Sequence, residues 1–351
     1  MKMIFPRNEF EKTSCKDANI EKGLLVDMFD QIDKEKWNLH SILLVKNGAK
    51  IFDTYAKGYG PNTNEDIFSI SKAFTSLAIG ICFDQKRLQL SDPILPYFAK
   101  ELENTHFVGY EKVTIEHLLT MSVGQDRDGI DDFKMGKNPY ISFFSLPLEF
   151  EPGTHFMYNN LASYMLSAIV TRVTGMTVND FLDINLYSKL NIEKPEWSEF
   201  FGNSLGCSGI KTNAVVLGKI GMLLLYNGMW REEQVISADY VKAATTSHVS
   251  TIDLDNPKRQ YGYGYHFWIT KNQDFQMAGK YGQRVIVNRQ YETVFVIIGY
   301  EKRDPSCFFD DYVIPALGKG WSYDNYTLRT YLQRFTDHSG PILEAEITEK
   351  G

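Results

Sequence analysis

The string Ser69-Ile70-Ser71-Lys72 sets a hydroxyl and an amine three residues apart. On a helix, residues at that spacing share one face. The segment that follows, 71–83 (SKAFTSLAIGICF), is apolar nearly all round, as in a helix buried on every side. Ser69 would then stand at a helix N-terminus, where free backbone N–H groups and the dipole favour developing negative charge. Burial disfavours a charged lysine, and a neutral amine beside a serine can take its proton and make it a nucleophile. The same residues also read as an N-cap and a lysine reaching for water, and Ser208-Gly209-Ile210-Lys211 fits the same spacing. The string alone leaves these readings open.

Two further strings carry chemistry. Tyr158-Asn159-Asn160 follows a turn, Glu151-Pro152-Gly153-Thr154, and precedes a helical pattern. Two residues apart in extended chain, the phenol and the Asn160 amide point the same way. A phenol beside cations can act as general base or acid, and an amide can hold a carbonyl. An aromatic plug and a helix cap are the plainer reading, and Tyr323-Asp324-Asn325 repeats the pattern. Gly279-Lys280-Tyr281-Gly282-Gln283 leads into a β-branched run at 284–288. There Lys280 would stand at a strand edge, and Gly282 would let backbone approach a ligand. An ordinary hairpin with a surface lysine is the alternative.

The elements that must position these residues are visible around them. Residues 22–35 carry a helical stripe of Leu24, Leu25, Met28, Phe29 and Ile32. Runs at 40–45 and 50–55 flank Asn47-Gly48, a strong hairpin signal. Helical patterns fill the middle at 115–121, 161–174 and 178–190, and another at 214–226 ends at Asn227-Gly228. Strand signals return at 261–268, 284–288 and 293–300, followed by a closing helix at 310–317 and a short amphipathic stretch at 328–335. Strands therefore lie early and late, with helices between. The pattern predicts an α+β chain: a mainly antiparallel sheet flanked by helices, with an inserted helical region. The expected domains are a discontinuous sheet domain, 1–92 with 205–351, and a helical domain, 93–204, with a cleft between them.

Composition narrows the function. The chain has 351 residues, 43% of them hydrophobic and 14% aromatic, and a formal net charge of −7. An acidic chain without a basic patch predicts no nucleic-acid partner. The KRQYGYG run at 258–264 is too short to change that. No 18-residue apolar window is present, so no membrane span is expected. The N-terminal residues are interrupted by charges and Pro6 before a signal core could form. A cytoplasmic location is the expectation unless a leader has been removed. Cys15, Cys82, Cys207 and Cys307 show no CxxC spacing and read as free thiols.

His40, His106, His117, His155, His248, His266 and His338 form no HExxH or HxH pattern, so neither a metal nor another cofactor is predicted. The acidic 126–132 stretch (DRDGIDD) has Ile130 where a calcium loop needs a ligand, and reads as a solvated loop near the cleft. No G-x-S-x-G, G-x-G-x-x-G or P-loop occurs.

Taken in order, Ser-x-x-Lys, Tyr-x-Asn and Lys-x-Gly before a late strand resemble the serine β-lactamase and penicillin-recognising superfamily. The likeness is to its class C-like branch, which includes esterases and 6-aminohexanoate-dimer hydrolases. It extends through 39–48 (LHSILLVKNG), 68–80 (FSISKAFTSLAIG), 114–124 (TIEHLLTMSVG), 151–175, 206–212 and 262–268, and runs from about residue 22 to 317.

The resemblance implies a β-lactamase/transpeptidase-like fold and an acyl-enzyme on Ser69, with Lys72 as its base. Tyr158 would shuttle the proton to the leaving group and Asn160 would position the acyl chain. Lys280 would tune Tyr158 or bind a carboxylate. The backbone N–H groups of Ser69 and Gln283, the latter beside Gly282, would form the oxyanion hole. A small ester or amide is the implied substrate. A D-alanyl peptidase or β-lactamase, or a silent binding module of the same fold, are the alternatives. Tyr281 stands where the family carries a small hydroxyl residue, and its bulk would narrow the slot for a β-lactam carboxylate. Oligomeric state is left open.

Overall fold

A computed structural model of the chain describes residues 4–6, 9–103, 109–130, 136–255, 259, 261–271, 274–320, 332 and 335–336. Tyr323-Asp324-Asn325 and nearly all of the 328–335 stretch lie outside these residues. The chain divides into two compact units, Met1–Glu65 with Thr212–Leu225 and Gly279–Gly351, and Asp66–Lys211 with Tyr226–Ala278.

In the first unit, Leu39–Lys46 pairs antiparallel with both Ala49–Tyr55 and Thr293–Gly299, and the last pairs antiparallel with Arg284–Asn288. The hairpin at Asn47-Gly48 forms as expected. Both residues have positive φ, 52° and 80°, as the favoured two-residue turn requires. Period-two alternation then sorts the apolar side chains. Ile42, Leu44, Phe295 and Ile297 share a core with Leu25, Met28, Phe29 and Ile32 of the Lys22–Lys34 helix and with Phe309, Val313 and Ala316 near the C-terminal end. The alternate residues Leu43, Val285 and Val294 meet the Ala214–Leu225 helix where Gly218 and Gly221 let it approach. Helices thus cover both faces of these strands.

The second unit is mainly helical, built around Ser71–Asp84 and Asn160–Thr174, which are buried along most of their lengths. Its shorter helices include Ile115–Leu119, Pro139–Phe144 and Ala238–Ala244. Trp268–Ile269 pairs antiparallel with Phe275–Ala278. Together the two units make the expected α+β fold.

Two expectations need correcting. Residues 66–92, 205–211 and 226–278 group with the helical unit rather than with the sheet. Hydrogen bonds explain this: Thr75 Oγ1 donates to Gly206 O at 2.8 Å, and Tyr240 OH donates to Ser76 O at 2.8 Å. These tie the Ser71–Asp84 helix to 206 and 240. Second, 261–267 is not a strand but a looped segment joined by single bridges, and only Trp268 at its end enters a strand. A Cβ on Gly264 would lie 2.1 Å from Ala244 O, so the backbone packs there as only glycine allows, and His266 is left-handed at φ 68°. Alternation of glycine with aromatics imitates a strand while serving this close approach.

Candidate active site

Ser69 lies in a single 3-10 turn, Phe68–Ile70, directly before the Ser71–Asp84 helix. Phe68 holds a left-handed backbone at φ 48°, a strained conformation for an aromatic residue, and its carbonyl accepts from Ser71 Oγ at 2.7 Å. Ser71 Oγ also accepts from Ile210 N at 3.3 Å, which braces the turn. The helix has no side-chain N-cap, so Ser69 is not spent on capping. Lys72 does not reach water either: it is 1% exposed.

The Lys72 ammonium has three oxygens around it. Nζ lies 3.1 Å from Ser69 Oγ, 2.7 Å from Asn160 Oδ1 and 2.8 Å from Cys207 O. Three acceptors match three ammonium hydrogens. As an amine, the same nitrogen would keep two donor bonds, to Asn160 and Cys207, and turn its lone pair to the Ser69 hydroxyl. One geometry therefore serves both ends of a proton transfer.

Nζ also lies 4.8 Å from the centroid of the Tyr158 ring. Tyr158 is held by aromatic walls. Trp268 stacks on it at 5.9 Å and 13°, and Tyr263 meets it edge-on at 6.5 Å. Trp268 in turn faces the Arg259 guanidinium at 4.9 Å. These walls were invisible as site residues in the sequence, because the mostly looped 261–268 segment reads as one strand.

Asn160 is the first residue of the Asn160–Thr174 helix, and the capping amide is its neighbour Asn159, which accepts from Ala162 N at 3.0 Å. Asn159 is fully buried and donates to Gln125 Oε1 at 2.5 Å. Gln125 donates in turn to Tyr110 OH and to Phe143 O, at 2.6 and 2.8 Å. The loop expected to be solvated does expose Asp126 and Arg127, but its Asp128 reaches this helix. The half-buried Asp128 carboxylate accepts from Asn160 Nδ2 at 2.6 Å, Asn160 N at 3.1 Å and Leu161 N at 3.4 Å. Asp131 and Asp132 lie outside the described residues.

His266 is the other residue that sequence reasoning passed over. It is 3% exposed, and neither ring nitrogen has a hydrogen-bond partner. Burial first, and the positive charge of Lys72 second, push its pKa down to about 3. The ring is therefore neutral at physiological pH. The second Ser-x-x-Lys string forms no such centre: Lys211 is exposed on a short strand opposite Glu196.

Lys280, Gly282 and Gln283 belong to the first unit, in the turn entering Arg284–Asn288. Lys280 is exposed, with Nζ 4.6 Å from the Tyr281 ring centroid. Tyr281 is left-handed at φ 60° and stacks on Tyr300 at 3.9 Å. Gly282, at φ 80°, is buried, and Gln283 Nε2 donates to Gly299 O at 3.0 Å. Among the described residues no cluster of three or more metal-ligating side chains occurs, and no single helix is long and apolar enough to cross a membrane.

Comparison with known proteins places this geometry. Protein flp of Staphylococcus aureus strain MW2 is 30% identical over 179 residues, 45% of this chain and 34% of that relative. The chain thus matches about a third of the length of that curated relative. An uncharacterized protein of Alkalihalophilus pseudofirmus is 22% identical over 316 residues, 82% of this chain and 84% of its own. Among solved structures, a protein provisionally named 6-aminohexanoate-dimer hydrolase from Bacillus anthracis superposes with TM-score 0.70 at 19% identity, over 89% of this chain and 87% of that one. A family VIII carboxylesterase superposes with TM-score 0.65 at 13% identity, over 88% and 99%. At such identities the likeness carries the fold alone. The Beta-lactamase family model, however, matches residues 40–299, from the first hairpin strand to the end of the last strand, and the chain belongs to that family.

Proposed function

We propose that the protein is a serine hydrolase that cleaves a small ester or amide through an acyl-enzyme on Ser69. The observation that carries this reading is the buried Lys72 amine 3.1 Å from Ser69 Oγ, held by two further acceptors. In acylation, Lys72 takes the hydroxyl proton as Oγ bonds to the substrate carbonyl carbon. Collapse of the tetrahedral adduct breaks the bond to the alcohol or amine, which leaves with a proton relayed through Lys72 and Tyr158. Water then attacks the ester carbonyl, gives up a proton along the same path, and restores Ser69. The backbone N–H of Ser69, in the turn before the Ser71–Asp84 helix, is a donor for the oxyanion. Membership of the Beta-lactamase family and neighbours named as a 6-aminohexanoate-dimer hydrolase and a family VIII carboxylesterase support an ester or amide substrate.

An active-site fluorophosphonate tests the reading. It should label wild type at Ser69 and leave Ser69→Ala unlabelled, with hydrolysis of p-nitrophenyl esters lost in the same variant. An adduct elsewhere, or full hydrolysis by Ser69→Ala, overturns it. Penicillin-recognising chemistry is the second reading, supported by a penicillin-binding protein from Bacillus halodurans with TM-score 0.64. It requires a lasting penicillin adduct on Ser69 or turnover of nitrocefin.

A further inference from the structure

A continuous line of polar contacts runs from the half-buried Asp128 to the nucleophile. Asp128 holds Asn160 by both its backbone N–H, at 3.1 Å, and its side-chain amide, at 2.6 Å. With Nδ2 drawn to the carboxylate, the other end of the amide, Oδ1, is turned onto Lys72 Nζ at 2.7 Å. Lys72 then meets Ser69 at 3.1 Å. A side-chain amide has a donor end and an acceptor end of nearly equal size. A carboxylate accepts and an ammonium donates, so only one orientation of the amide satisfies both neighbours. The two charged groups therefore fix the amide between them.

We propose that Asp128 is a positioning residue for nucleophile activation: through Asn160 it fixes where the Lys72 nitrogen stands against Ser69. This rests on the serine-hydrolase reading above. Lys72 has a four-carbon stem with freely rotating bonds, and burial alone does not set its nitrogen to within the few tenths of an ångström a proton transfer needs. Cys207 O supplies one fixed anchor at 2.8 Å. Asn160 supplies the second, and without Asp128 the amide is free to rotate and offer Lys72 its NH2 face. The bond to Asn160 N and the longer one to Leu161 N also anchor the carboxylate itself to the start of the Asn160–Thr174 helix.

The experiment measures the second-order rate of fluorophosphonate labelling at Ser69 in full-length wild type, Asp128→Ala, Asp128→Asn, Asn160→Ala and the double variant Asp128→Ala/Asn160→Ala, well below their unfolding temperatures. Asp128→Ala should slow labelling by about 10- to 100-fold. Asp128→Asn keeps an acceptor oxygen for both donors and should recover most of the rate. The double variant should be no slower than Asn160→Ala alone, because Asp128 acts only through that amide. A purely structural role would lower stability without that coupling. Should Asp128→Ala not fold, Asp128→Ser carries the same expectation, because its shorter side chain cannot place an oxygen where Oδ2 meets both Asn160 N and Nδ2. Wild-type labelling rates in these variants, or effects that multiply in the double variant, overturn the proposal. Failure of wild type to label at Ser69 would instead overturn the hydrolase reading beneath it.

Discussion

At the scale of single residues, the site is a lysine with every hydrogen assigned. Replacing Lys72 by methionine fills similar volume but removes the amine from Ser69, Asn160 and Cys207 together. Proton transfer by a positioned group contributes about 10²- to 10⁴-fold. Lys72→Met should therefore lose that much in kcat/KM toward a p-nitrophenyl ester, with the thermal midpoint measured in parallel to show the fold intact. The cysteines give a second, cheaper check. Cys82 is buried and its thiol is pushed up to about 12 by that burial, and burial likewise raises Cys207 despite the nearby Lys72 charge. Cys15 is buried as well, whereas Cys307 is half-buried. Alkylation of the native protein with iodoacetamide, followed by peptide mapping, should modify Cys307 first and Cys82 and Cys207 only on unfolding.

At the scale of elements, the Ser71–Asp84 helix carries Lys72, and its position sets where that lysine stands. Glycine in a helix interior ordinarily costs about 1 kcal/mol against alanine, so Gly80→Ala would stabilise an isolated helix. Here a Cβ at Gly80 would lie 2.5 Å from the ring of Tyr240, and that ring cannot retreat while its hydroxyl bonds to Ser76 O at 2.8 Å. Overpacking then wins: Gly80→Ala should cost about 1–3 kcal/mol in urea unfolding, and an unchanged or raised midpoint would contradict the packing. This helix, the first hairpin and the late strands could be read directly from the chain, since apolar runs and Asn47-Gly48 act locally. What escaped reading depends on contacts between distant segments. Asp128 stands 32 residues from the Asn160 it holds, and nothing in DRDGIDD announces a partner. His266 lies in a segment whose glycines mimic strand alternation. Ser69 and Lys72, the proposed nucleophile and base, were legible as a spacing, and Asn160 as part of a string; Asp128 and His266 were not.

At the scale of the whole molecule, acidification sets two electrostatic effects against each other. The net charge is −7 and the sequence pI is about 5.6, so lowering pH from neutrality to about 5.6 reduces self-repulsion and by itself favours the compact state, an effect that reverses below that pH. His266 acts oppositely. An unfolded histidine takes up a proton below about pH 6.5, whereas the folded ring does so only near pH 3. Between those values the unfolded chain holds the extra proton, so stability is fully present above pH 6.5 and falls as pH decreases toward 3. Each pH unit in that window is worth up to about 1.4 kcal/mol, concentrated on one fully buried group. Seven charges dispersed over a surface of 16132 Å² are screened by salt beyond about 8–10 Å and change stability less. The histidine should therefore dominate at physiological ionic strength. Urea midpoints measured at pH 7.5, 6.5, 5.5 and 4.5 should fall more steeply for wild type than for His266→Asn, a replacement that tolerates the left-handed backbone and does not titrate. The two curves should differ in slope by up to about 1.4 kcal/mol per pH unit below 6.5 and run parallel above it. Parallel curves throughout would mean that the folded ring accepts a proton without penalty, and that the pocket beside Lys72 is wetter than its 3% exposure implies.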